Sequence, residues 1–271
     1  EKWGESTYRR VIEIQASKNF TNPGIFVFHR GRQVYRLPFL RKQSSQVQNY
    51  GWSKRWEFDP TAAVNMTRLV AADDVLGNFV LTNYKAWPQF LKPVSEAFKT
   101  GSIADGAIKA EVSKITNGKS STLEKAKAIY EWFKKVQTLD FGVARPVLPA
   151  LASTVFKNMK GDCKDQSTLL ISMLRSIGVK ADPVLVERDT TPVTNLDIMP
   201  NSIVSRLQFN HVVVKAQIGN KVYWLDPLRT KSNSLLNSIP FGTTSEEITK
   251  RDGLVLYLDG PGVGYRWERI S

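Results

Sequence analysis

Residues 161–186 read GDCKDQSTLLISMLRSIGVKADPVLV, and they spell a helix, its stop and a strand, with the chain's single cysteine at the helix start. Leu169, Leu170, Met173, Leu174 and Ile177 recur at helical spacing and give the segment an apolar stripe. Asp162 is well placed as the N-cap, which puts Cys163 in the first turn. Gly178 sits where a left-handed glycine would close the helix, and Val184–Val186 then reads as a strand. First-turn N–H groups and the helix dipole stabilise negative charge, so they favour a Cys163 thiolate. A thiolate is the nucleophilic form, and a nearby imidazole completes its activation.

The chain has two histidines to supply that imidazole. His29, between Phe28 and Arg30, has no partner spacing and reads as structural or exposed. His211 lies in Phe209–Ala216, which forms a hairpin with Lys221–Leu225 around Gly219-Asn220. If those two residues are the turn, Ile218 pairs with Lys221 and Asp226 falls opposite Val213. Asp226 is then diagonal to His211 on the same face, roughly 7–8 Å away at Cα, within reach of a hydrogen bond. A one-residue slip would separate them. In this register a nucleophile, a base and an orienting carboxylate are available in the triad sense. A free cysteine is otherwise a small buried hydrophobe, and an Asp before Pro can be a mere turn residue. Asp162 and Asp165 read as capping residues, and Trp224 as core.

Outward from this centre, Ser121 and Glu124 form a capping box before a helix with Leu123, Ala126, Ile129, Tyr130, Phe133 and Val136 on one face. Lys125, Lys127, Lys134 and Lys135 fall mostly off that face and read as solvated. Trp87, Phe90, Leu91, Val94 and Phe98 mark an earlier helix stopped by Gly101, and Ala152–Asn158 a short one. Asp189–Ser205 reads as a loop and Gly253–Leu258 as a strand. Residues 1–80 lack a helical period. Strands are expected at Tyr8–Gln15, Gly24–His29, Gln33–Leu40, Tyr50–Phe58 and Val64–Ala71, punctuated by Gly and Pro. The expected fold class is α+β, with a β-rich N-terminal domain at 1–83 and an α+β domain at 84–271.

The blocks GDCKDQSTLLISMLRSIGVKADPVLV (161–186), FNHVVVK (209–215) and VYWLDPL (222–228) resemble the transglutaminase-like superfamily. The nearest likeness is to bacterial proteins that join such a domain to an upstream β-rich domain of the DUF3857 type. The resemblance implies a papain-like core, a helix-borne Cys packed on an antiparallel sheet. It makes Cys163 the nucleophile, His211 the general base and acid, and Asp226 the residue orienting His211. It covers residues 84–260 best. It also implies thioester chemistry on amide bonds, with hydrolysis favoured over cross-linking, a protein or peptide substrate (cell-envelope peptide among the candidates) and an extracytoplasmic site. Where relatives carry an Asn-x-x-Tyr-like stretch, this chain has Val136-Gln137-Thr138-Leu139-Asp140-Phe141. The Cys163 N–H is the natural first oxyanion donor, and the second is unassigned.

Composition trims the alternatives. One cysteine excludes an intramolecular disulfide framework, and with two distant histidines it provides no zinc-ligand spacing. No glycine-rich phosphate loop is present, so no cofactor is expected. No run of about 18 apolar residues could span a bilayer. The start EKWGESTYRR has neither initiator methionine nor apolar signal core, as expected of a trimmed or processed chain. The formal net charge of +13 is shared by both halves and bears on solubility and polyanion attraction. Arg30, Arg32, Arg36, Arg41 and Lys42 could form one basic face, or a solvated strand edge. No nucleic-acid motif accompanies them. The rival classes are a silent scaffold module that keeps the fold and a polyanion-binding protein.

Overall fold

The computed structural model describes residues 8–17, 24–29, 32–33, 40–48, 51–61, 78–82, 84–139, 148–187, 204–205, 208–228, 241–242, 244 and 252–271. The chain divides into two compact units, residues 1–87 with 190–205, and residues 88–189 with 206–271.

The first unit is built of strands. β1 (Tyr8–Ser17), β4 (Leu40–Gln48) and β5 (Gly51–Thr61) form an antiparallel sheet in the order β1-β5-β4. β2 (Gly24–His29), β3 (Arg32–Gln33) and β6 (Asn78–Thr82) form another, in the order β3-β2-β6. Trp56 is buried, and Arg55 bridges Glu13 at 2.8 Å and Glu57 at 3.1 Å along the pleat. The expected strand at Gln33–Leu40 is divided, since Gln33 ends β3 and Leu40 begins β4. Arg32 and Arg41 therefore stand on different sheets; Arg30 and Arg36 lie outside the described residues, as does the expected strand Val64–Ala71.

The second unit sets helices on a five-stranded antiparallel sheet. α1 (Trp87–Gly101), α2 (Gly106–Thr116), α3 (Thr122–Trp132) and α4 (Ala152–Asn158) precede α5 (Cys163–Arg175). Between α3 and α5, β7 (Gln137–Thr138) pairs in parallel with β8 (Lys160–Gly161). The sheet follows as β9 (Lys180–Val186), β10 (His211–Ile218), β11 (Lys221–Leu225), β12 (Asp252–Tyr257) and β13 (Gly264–Arg269), in the order β11-β10-β9-β12-β13.

α5 is the central element, with every residue from Lys164 to Leu174 buried. Its polar side chains are largely paired inside. Ser167 Oγ donates to the Val212 carbonyl of β10 at 3.2 Å, and Gln166 Nε2 to the Gly161 carbonyl at 2.8 Å. The helix closes as a Schellman motif: Val179 N–H reaches the Leu174 carbonyl at 3.1 Å and Gly178 N–H the Arg175 carbonyl at 3.0 Å. Gly178 has φ +77°, the left-handed geometry such a stop requires. On the sheet, Val184, Val186, Val213, Trp224, Val255 and Ile270 form a buried cluster, so Trp224 is core. No helix among the described residues is long and apolar enough to cross a membrane.

Candidate active site

Cys163 occupies the first position of α5, and the preceding turn is fixed by reciprocal capping. Asp162 Oδ1 accepts from the Asp165 N–H at 3.2 Å, and Asp165 Oδ2 accepts from the Asp162 N–H at 3.4 Å. The second oxygen of each carboxylate is also used. Asp165 Oδ1 accepts from Ala150 N–H at 2.8 Å, and Asp162 Oδ2 pairs with Lys164 Nζ. Gly161 is buried against this turn, and a Cβ there would meet the Asp165 Cβ at 2.7 Å. The close approach that aims Cys163 thus needs glycine. Cys163 itself is partly exposed.

The hairpin forms in the register expected from its turn, with Ile218 opposite Lys221 and Val214 opposite Leu225. Gly219 has φ +58° and no positive φ occurs at Asn220, the pattern of a type II′ turn. Continuing the register by one residue puts Asp226 level with Val213. His211 Nε2 and Asp226 Oδ2 are 2.9 Å apart, with both side chains buried. The other carboxylate oxygen accepts from Leu228 N–H at 3.0 Å, an Asx turn across Pro227. Asp226 is therefore a turn residue and a histidine partner at once. Tyr130 of α3 donates its hydroxyl to the Asp226 backbone carbonyl at 2.8 Å, which anchors the residue from behind.

With Nε2 on Asp226, Nδ1 is the free ring nitrogen, and Cys163 is near enough to bear on the charge of the imidazole. Burial disfavours a charged imidazole, but the Asp226 carboxylate and Cys163 outweigh it and raise the His211 pKa to about 10. The structure thus pairs His211 with Asp226 on a strand against which the Cys163 helix packs. His29 belongs to β2, in the first unit.

Two members of the surroundings were not singled out from sequence. Tyr130 looked like one more apolar-face residue of α3, because its hydroxyl bond to Asp226 spans 96 positions. Lys164 drew no reading of its own, although a cation in the first turn of a helix is itself an anomaly. Among the described residues, no cluster of three or more His, Cys, Asp or Glu side chains is arranged to hold a metal.

No curated protein sequence matches the chain. A crystal structure of a "putative protease" from Parabacteroides distasonis aligns over 94% of this chain and 44% of its own, at 14% identity and a TM-score of 0.62. The chain thus spans less than half the length of that protein, and at this identity the likeness is one of fold. A "putative cysteine protease" from Cytophaga hutchinsonii aligns over 82% of this chain and 75% of its own, at 14% identity and a TM-score of 0.37. Residues 109–226, which hold Cys163, His211 and Asp226, match the family model of the transglutaminase-like superfamily, and the mixed helix-and-sheet fold accordingly has a transglutaminase-like core beside a β-rich N-terminal region.

Proposed function

We propose that the chain is a cysteine-dependent acyl-transfer enzyme acting on amide bonds of a protein or peptide substrate. Cys163 is the nucleophile, His211 the general base and acid, and Asp226 the carboxylate that orients His211. The observation that carries this reading is a buried carboxylate 2.9 Å from His211 Nε2, with the helix-start thiol of Cys163 near enough to raise the imidazole's pKa.

In the first half-reaction the Cys163 thiolate adds to the amide carbonyl. The oxyanion forms where first-turn N–H groups converge, the Cys163 N–H among them. Collapse breaks the C–N bond, and the His211 imidazolium gives its proton to the departing amine. A thioester and neutral His211 remain. In the second half-reaction His211 takes a proton from water, the hydroxide adds to the thioester, and the thiolate leaves with the imidazolium restored. An amine in place of water would give cross-linking by the same steps. The protease name of the Parabacteroides distasonis neighbour favours water. We further propose the 1–83 segment as a DUF3857-like domain ahead of a catalytic domain at 84–271, in a bacterial protein acting outside the cytoplasm.

The test is turnover of a denatured protein substrate with and without a labelled primary amine. Peptide release without amine incorporation is expected for hydrolysis. Cys163→Ala and His211→Ala should each lower it by roughly 10³-fold or more while leaving circular dichroism unchanged. Undiminished turnover by Cys163→Ala would overturn the assignment. A wild-type thiol inert to iodoacetamide at pH 7 would point to a silent module.

A further inference from the structure

The nucleophile's own turn contains a feature that the three-residue set does not use. Lys164 is the second residue of α5, where the helix dipole disfavours a cation. It is nonetheless buried, at 7% exposure, and lysine is almost never buried so deeply unless paired. Its partner is Asp162 Oδ2, so Asp162 divides its carboxylate between capping the helix and binding this ammonium.

We propose that Lys164 is a positioning residue for the nucleophile: it neutralises the Asp162 carboxylate within the first turn, so that Cys163 can carry a negative charge beside it. This rests on Cys163 being the nucleophile. The charges around Cys163 explain the need. Its own turn supplies Asp162, Lys164 and Asp165; β10 supplies His211, with Asp226 behind it; Lys160 of β8 is exposed; and α3 brings Tyr130, bound to the Asp226 carbonyl. Three carboxylates thus face two cations when His211 is protonated, and a thiolate adds a fourth negative charge. Without Lys164 a single imidazolium would oppose them all, and like charges disfavour ionisation. Capping alone needs no such cation, because Asp162 Oδ1 and Asp165 Oδ2 already satisfy each other's N–H groups.

The proposal predicts opposite effects from the two halves of one ion pair. Cys163 is the only cysteine, so iodoacetamide alkylation of the full chain reads it alone. Rates across pH 5–9 would be measured for wild type, Lys164→Gln, Asp162→Asn and the double variant. Lys164→Gln should move the acid limb to higher pH and lower the rate at pH 6 by about tenfold, the effect of one pH unit. Asp162→Asn still caps the helix, leaves the Lys164 charge unopposed, and should move the limb to lower pH. The double variant should return to within about threefold of wild type. Two single variants that shift the limb in the same direction, or leave it in place, would overturn the proposal. Melting curves show whether Lys164→Gln is folded; if it is not, Asp162→Asn and the double variant decide. A wild-type limb near the free-thiol value of about 8.5 would instead count against Cys163 as nucleophile.

Discussion

At His211 two opposed influences meet in one side chain. Burial penalises the imidazolium, whereas the charge and hydrogen bond of Asp226, together with Cys163, favour it and hold the pKa at about 10. An unfolded histidine titrates near 6.5. Below that value both states carry the proton, and the stabilising contribution is fully present. As pH rises through the window from 6.5 to about 10, the unfolded state loses its proton first and folding stability falls. Urea midpoints at pH 6, 8 and 10 should therefore decline more steeply for wild type than for His211→Gln; parallel declines would mean that His211 is not held protonated. In the proposed mechanism the same residue sets the alkaline limb of activity, because the leaving amine needs the imidazolium proton. Asp226→Asn keeps an acceptor but removes the charge. It should bring that limb down toward 6.5, cutting kcat/KM at pH 9 by at least about tenfold while changing it less at pH 6.

Two glycines flank α5 and should separate stability from chemistry. Gly178→Ala forces a side chain into φ +77° at the helix stop, where nothing lies within 4 Å of the added Cβ. It should cost about 1 kcal/mol in urea denaturation and leave Cys163 alkylation unchanged. Gly161→Ala drives a Cβ to 2.7 Å from that of Asp165. It should cost about 1–3 kcal/mol and also slow alkylation, since the capping turn that aims Cys163 must shift. Elements with strong local signals were legible in the sequence: the Ser121 capping box, the Asp162 cap, the Gly178 stop and the turn that fixes the hairpin register all occur as read. Others carried no such signal. β4 is RKQSSQVQ after Leu40, polar because its described side chains are mostly exposed, so alternation never develops. α2 buries little beyond Ile108 and Val112, a stripe too thin to stand out, though Asp105 caps it through Ile108 N–H at 2.8 Å. β13 is partly exposed along most of its length and was passed over for the same reason. The His211–Asp226 pair was more legible than the fold around it, because the hairpin turn fixes its register. Lys164 and Tyr130 were not legible, since their partners are set by burial and by contacts across the chain.

At the scale of the whole molecule, the chain enters its first unit twice, with residues 1–87 and again with 190–205, while Cys163, His211 and Asp226 all belong to the second. Within the first unit the two passages are joined by a buried hydrogen bond, Thr82 Oγ1 donating to the Val204 carbonyl at 2.7 Å. The same hydroxyl accepts from Tyr84 N–H at 3.2 Å. Thr82→Val keeps the shape and removes both bonds, so a buried carbonyl loses its donor at a cost of about 1–3 kcal/mol. If each unit is cooperative in itself, that loss is confined to the first. Calorimetry of the full chain should then show one transition lowered by several degrees and a second one unmoved. Cys163 alkylation at pH 7, measured below both transitions, should stay within about twofold of wild type, because the change lies in the unit that does not contain Cys163. A single transition that moves as a whole, with alkylation altered alongside it, would mean that the strand-built unit supports the chemistry directly. In that case the proposed catalytic residues could not be understood from the second unit alone.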